Sequence, residues 1–109
     1  MTTESVTREQ NPDRFEITVD GTVAGFAQFT ETGTQRMFFH TEIAEEFGGQ
    51  GLAGKVVQQA LEQTRADGLR IVAVCPYVAK FVTKTDEFSD LVDPVTDDVK
   101  DAVRAAERG

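Results

Sequence analysis

The sequence predicts a mixed α+β/α/β fold: antiparallel strands first, then a strand–helix–strand crossover, then a C-terminal helix. Three observations predict it. Asp20-Gly21 sits between two alternating, extended runs, a strong local signal for a hairpin. Leu52, Val56, Ala60, Leu61 and Thr64 recur at helical spacing between two strand-like stretches, which makes a crossover unit. The final stretch, VTDDVKDAVRAAER, opens on acids and closes on arginines, the charge order that complements a helix macrodipole.

Taken in order, residues 1–12 predict a frayed start or a short edge strand. Phe15, Ile17 and Val19 alternate with polar residues and make the first clear strand, and Val23 to Phe29 resume the extended pattern after the turn. ETGT (31–34) is a second turn and QRMFFHTEI (35–43) a third strand, so the N-terminal half is an antiparallel meander. The helix starts after Gly51 and runs over 52–67, about four turns. Arg65 in its last turn and Gly68 just beyond suit a C-terminal stop. LRIVAVC is apolar without clean alternation, as a strand covered on both faces reads. Strands 37–42 and 70–75 then run parallel or nearly so. Pro76 opens a second helix, PYVAKFVTK. TDEFSDLVDP is irregular. The closing helix, about 95–107, has Val95, Val99, Ala102, Val103 and Ala106 as its apolar stripe.

The chain has 109 residues, enough for a single domain with one core. Its net charge of −8 argues against a nucleic-acid or anionic-membrane surface. It does not argue against an anionic cofactor, which backbone amides at a helix start can hold. No apolar run approaches the roughly 18 residues a membrane helix needs. MTTESVTREQNPDR has no apolar signal core, so the cytoplasm is the expected location. The single cysteine, Cys75, excludes an internal disulfide, and one Cys with one His cannot build a Cys/His zinc site; no metal is expected.

The stretch EEFGGQGLAGKVVQQA (45–60) fits three phosphate-binding patterns. Gly49, Gly51 and Gly54 spell G-x-G-x-x-G. Gly49 to Lys55 spells most of a P-loop, but Val56 stands where Ser or Thr must hold Mg²⁺. The dinucleotide reading requires the glycine turn after the first strand and an acid about 20 residues on. Here three strands come first, and RIVAVCPY has no acid. The third pattern, Gly48 to Ala53, is close to the pyrophosphate loop of acetyl-CoA-dependent acetyltransferases, and it fits the order of elements.

His40-Thr41-Glu42, Gly49-Gln50-Gly51-Leu52-Ala53 and Cys75-Pro76-Tyr77-Val78 occur in sequence on the expected elements. Together they resemble the small single-domain GNAT-like N-acetyltransferases built around H-T-E, R-G-x-G-hydrophobic-[GA] and C-P-[FY]-V. The likeness spans roughly residues 14–92, with DEFSDLV similar to that family's tail. The helix after Pro94 lies beyond the family's usual core. One position departs: the family usually carries Arg or Gln where this chain has Gly48, a side chain expected near the pyrophosphate, with Gln50 and Lys55 the residues placed to compensate.

The resemblance implies acetyl-CoA or CoA as ligand and parallel strands that splay apart to admit its pantetheine arm. It places Gly48, Gly49, Gln50, Gly51, Leu52, Ala53, Gly54 and Lys55 at the pyrophosphate. It sets the arm beside Glu42, Ile43 and Ala44, with Tyr77 and Phe81 as walls. Cys75 is then a candidate acetyl acceptor near the thioester. A small buried apolar residue suits the same position, as Tyr77 and Phe81 also suit ordinary core packing. His40 and Glu42, two apart on one strand, point to the same face and can deprotonate an amine together. A structural histidine beside a solvated acid is the alternative. The implied activity is N-acyl transfer, direct or through Cys75; the other class is a CoA-binding module with little catalysis. The acceptor, an amine or a protein, is not specified by any loop. The negative charge leans toward a basic one, and a monomer is favoured.

Overall fold

The computed structural model describes residues 3–108. Six strands form one sheet in the order β1-β2-β3-β4-β5-β6. They are β1 (Glu4–Glu9), β2 (Arg14–Val19), β3 (Thr22–Thr32), β4 (Gln35–Ile43), β5 (Arg70–Ala73) and β6 (Val92–Asp93). The first four pair antiparallel; β5 joins β4 in parallel and β6 joins β5 in parallel. The helices are α1 (Leu52–Ala66), α2 (Pro76–Thr83) and α3 (Asp97–Arg108), with one 3-10 turn at Glu45–Phe47.

The meander and crossover expected from the sequence are present. Asp20 (φ 49°) and Gly21 (φ 86°) both take left-handed backbone, as the tight turn of a twisted hairpin requires. Residues 4–9 form the edge strand that had been one of two expectations for the N-terminus. Gly68 (φ 74°) follows α1, and its amide closes on the Arg65 carbonyl at 3.0 Å.

The sheet is covered on both faces. On one, α1 sets Leu52, Val56, Val57, Ala60 and Leu61 against Phe15, Ile17, Phe29, Phe38 and Ile71. On the other, Val99 and Val103 of α3 pack on Met37 and Val72, with Phe39 and Val74 at the margin. Two expectations are corrected here. Val95 does not belong to the α3 stripe: it is 40% exposed, because Thr96 accepts the Val99 amide at 3.2 Å and starts the helix later. Residues 85–94 are not wholly irregular, because Val92 and Asp93 pair with Ile71 and Val72 as β6.

Two irregularities of β4 position the site. Gln28 registers with His40 but Phe29 with Phe38, so Phe39 is an extra residue on β4. Such a bulge reverses which residues face which side. Before it, Arg36 and Phe38 face α1. After it, Thr41 and Ile43 take that face. The second irregularity is the end of β4–β5 pairing. Only Gln35–Phe38 register with β5, and the Val74 and Cys75 amides both close on the Phe38 carbonyl, at 2.9 and 2.8 Å. From Phe39 to Ile43, β4 runs on without a β5 partner.

Candidate functional site

The parting of β4 from β5 leaves a notch bordered by residues 39–43 on one side and by Cys75 and α2 on the other. Phosphate-binding candidates lie beyond its mouth. Gly49 (φ 80°) and Gly51 (φ 73°) hold left-handed backbone, which an L side chain rarely adopts. Gly51 is the N-cap of α1, and no side chain caps that end. The Lys55 amide already bonds the Gly51 carbonyl at 3.3 Å, so the amides ahead of it are those left over by the helix. A bare turn at the positive end of a 15-residue helix fits an anion such as a pyrophosphate.

Gly48 differs from its neighbours. Its backbone (φ −63°, ψ 152°) suits any residue, and an added Cβ would come within 3.3 Å only of the Glu45 carbonyl. The missing side chain is thus a choice of residue that backbone conformation does not force. Gly54 is helical, and a Cβ there would lie 3.6 Å from the Tyr77 hydroxyl, so α2 packs directly on the first turn of α1.

The three residues expected to do chemistry do not converge. Cys75 is the N-cap of α2, buried, and its thiol donates to the Thr41 hydroxyl at 3.5 Å. It belongs to the α1-side core. The bulge turns His40 and Glu42 to the α3 side, where the imidazole Nε2 lies 3.6 Å from Glu42 Oε1. Both are open to solvent, with side chains 50% and 61% exposed, and the imidazole leans on Phe26 at 5.7 Å between ring centroids. The notch therefore has a thiol on one face and an imidazole–carboxylate pair on the other. Ile43 lies with the α1-side core.

Lys55 is engaged: its ammonium meets Glu4 Oε1 at 2.7 Å, joining α1 to the edge strand. Glu4, Gly51, Gly54, Lys55 and Phe81 border one groove of about 530 Å³. Tyr77 is 41% exposed, and Tyr77 and Phe81 enclose a small hollow with Lys80 and Lys84. Those two lysines have no carboxylate partner among the described residues. The sequence reading did not single them out. A spacing of four, from the last turn of α2 to its C-cap Lys84, was the available signal. Thr41, the partner of the thiol, stands inside the H-T-E motif, which assigns it no role of its own.

The GCN5-related N-acetyl-transferase family profile matches residues 14–91. A comparison with curated proteins returned no match. Among solved structures, the chain is similar to a GCN5-like protein from Staphylococcus aureus determined by NMR. They are 21% identical over 85% of this chain and 91% of that one, with a TM-score of 0.64. It is also similar to the ribosomal-protein-alanine N-acetyltransferase of Brucella melitensis biovar Abortus 2308. That likeness is 18% identical over 66% of this chain and 59% of that one, with a TM-score of 0.56. No helix among the described residues is long and apolar enough to cross a membrane. With the profile covering most of the chain, its glycine turn, crossover and parting strands included, the chain belongs to the GCN5-related N-acetyl-transferase family.

Proposed function

We propose that the chain is an acetyl-CoA-dependent N-acyltransferase, with the pyrophosphate at residues 48–55 and the pantetheine arm in the notch beside Glu42–Ala44. One observation carries this: the uncapped, glycine-bare start of α1 opens beside the place where β4 outruns β5. The donor supplies an acetyl group activated as a thioester. The chain's own residues hold and orient it. Amides of the α1 start face the phosphates, Lys80 and Lys84 add unpaired positive charge alongside, and Tyr77 and Phe81 wall the arm. His40, with the Glu42 carboxylate 3.6 Å from its Nε2, takes the proton an ammonium acceptor must lose. In a direct transfer Cys75 closes the α1 side of the notch.

Calorimetric titration with acetyl-CoA and CoA tests the reading. Saturable binding is expected, weakened at least about tenfold in Gly51→Val, where the side chain opposes left-handed backbone. Absence of binding at millimolar ligand would sink the proposal. Intact-mass spectrometry on the same samples separates the routes, since an acetyl adduct lost in Cys75→Ala marks transfer through the thiol.

A second reading, a CoA-binding module with little catalysis, is favoured by Gly48, whose backbone accepts a side chain the chain does not supply. Its signature is CoA binding with no acetyl transfer to any amine.

The Lys55–Glu4 pair yields a prediction of its own. Glu4→Gln releases Lys55 toward the phosphates, so CoA affinity is expected to rise about two- to fivefold with stability changed by less than about 1 kcal/mol. Calorimetry and urea denaturation check the two halves. Weaker CoA binding in the variant would show that the edge strand supports the loop.

A further inference from the structure

We infer that the acceptor enters from the α3 face, and that the groove there selects an alkylammonium carrying a second positive charge. This rests on the acyltransferase reading above. Gln28, Phe39, His40 and Glu107 line a groove of about 300 Å³. A second groove of about 660 Å³ shares Gln28, Phe39 and Glu107 with it and extends to Asn11, Pro12 and Asp13. The shared lining makes them one trough, running from His40 between the sheet and the end of α3 toward the turn before β2. No Lys or Arg lines either part. Asp13 and Glu107 have no cationic partner among the described residues.

The trough thus has two electrostatic ends with an aromatic wall between them. At one end His40 and Glu42 border the notch. Glu107 borders both grooves, and Asp13 marks the far end. Phe39 offers its ring to an alkyl stem or an ammonium. Net charge of −8 draws cations toward the surface generally, but only a dication uses both ends at once. Glu107 belongs to α3 and Asp13 precedes the matched residues 14–91, so both of these carboxylates lie outside the family profile.

The transfer balances as follows. His40 takes one proton from the reacting ammonium. The neutral amine nitrogen forms a C–N bond to the thioester carbonyl carbon, and the C–S bond breaks. The second proton leaves the nitrogen as CoA departs, protonating its thiolate. The products are amide, CoA thiol and an imidazolium that returns its proton to water.

The test measures thiol release from acetyl-CoA with propylamine, with 1,4-diaminobutane, and with two short peptides, one holding a lone lysine and one holding adjacent lysines. The wild type is compared with Asp13→Asn/Glu107→Gln. Acetyl-CoA binding is measured on both by calorimetry, and the single histidine is followed by NMR as each amine is added without donor. We expect the dications to exceed the monocations about three- to tenfold in kcat/KM. The double variant should erase that advantage while leaving acetyl-CoA binding unchanged. The His40 resonance should shift at lower diamine than propylamine concentration, in the wild type only. Preference for diaminobutane identifies a free diamine as the source, and preference for the paired-lysine peptide identifies a protein. Equal rates for mono- and dications, a preference surviving both substitutions, or no turnover of any amine despite acetyl-CoA binding would each overturn the inference and spare the cofactor site. Absence of acetyl-CoA binding would overturn both readings.

Discussion

Replacing Arg36 by methionine is expected to cost about 3 kcal/mol of stability and to lower the melting midpoint by roughly 10–20 °C. Arg36 is 1% exposed, the largest fully buried side chain among the described residues. Its guanidinium donates to Glu31 at 2.6 Å, to Asp67 at 2.9 Å and to the Thr64 hydroxyl at 3.1 Å, and lies over the Phe29 and Phe15 rings at 5.0 and 5.5 Å. Methionine fills part of the volume but leaves Glu31 with Arg8, at 3.1 Å, and Asp67 with Gln63, at 2.9 Å, as their remaining side-chain partners. Breaking a buried pair from one side costs about 3–5 kcal/mol; Glu31 and Asp67 keep some contact with water, which places the loss at the lower end. Lysine keeps the charge but not the planar fork, so Arg36→Lys should recover only part. Urea denaturation measures both, and a loss below about 1 kcal/mol in the methionine variant would show that the network is not stabilising.

The same network makes stability depend on acid. Burial pushes the Asp67 carboxyl up, but the Arg36 and Gln63 hydrogen bonds and the charges of Arg36 and Arg8 outweigh it and hold the group below its ordinary 3.8. A group depressed on folding stabilises fully above its unfolded value and loses that contribution as pH falls through its folded value. The wild type should therefore lose stability below about pH 4 more steeply than Arg36→Met, measured as denaturation midpoint against pH. Parallel curves would show that Asp67 does not sense Arg36.

What the sequence disclosed follows how local each cause is. The hairpin was legible because Asp20 and Gly21 themselves supply the left-handed backbone of the turn. The crossover was legible because α1 writes its buried face at helical spacing. Arg36 was not. An arginine in a strand reads as a solvent-facing residue, and its partner Asp67 lies 31 positions away at the end of α1. β6 is two residues long and exists through pairing with β5, with Asp93 held by Gln35 and Arg70 at 2.9 and 2.6 Å. The bulge at Phe39 likewise leaves no periodic trace. His40 and Glu42 share a face with or without it, as expected, but which face depends on it. Motif reading gathered Cys75, His40 and Glu42 around one notch; only the bulge shows that they reach it from opposite sides.

The second large effect is expected at Gly25, which no motif pointed to. It registers with Ile43 on β4 at the far lip of the notch. A Cβ built there would fall well inside van der Waals contact of Ile43 Cδ1 and of the Glu42 carbonyl oxygen, and 3.0 Å from Ile43 Cα. The Ile43 side chain can rotate away, but a backbone carbonyl cannot without moving the strand. Gly25→Ala must therefore push β4 off β3 at Glu42–Ile43, the segment proposed to flank the pantetheine arm. Overpacking of this kind costs about 1–3 kcal/mol, and contact with backbone puts this site toward the upper figure. Gly33 is the internal control: it lies in the turn after β3, lacks left-handed backbone, and a Cβ there meets nothing within 4 Å. Gly33→Ala should be neutral or stabilise by up to about 1 kcal/mol through the unfolded chain. The pair of variants thus sets one substitution, in one strand–turn unit, to opposite signs. Urea denaturation reads the stabilities, and calorimetry with CoA reads the notch. Lost stability with unchanged CoA affinity would separate the β3–β4 contact from ligand binding and move the arm elsewhere. Equal stabilities for the two variants would mean that β3 and β4 do not approach this closely at Gly25.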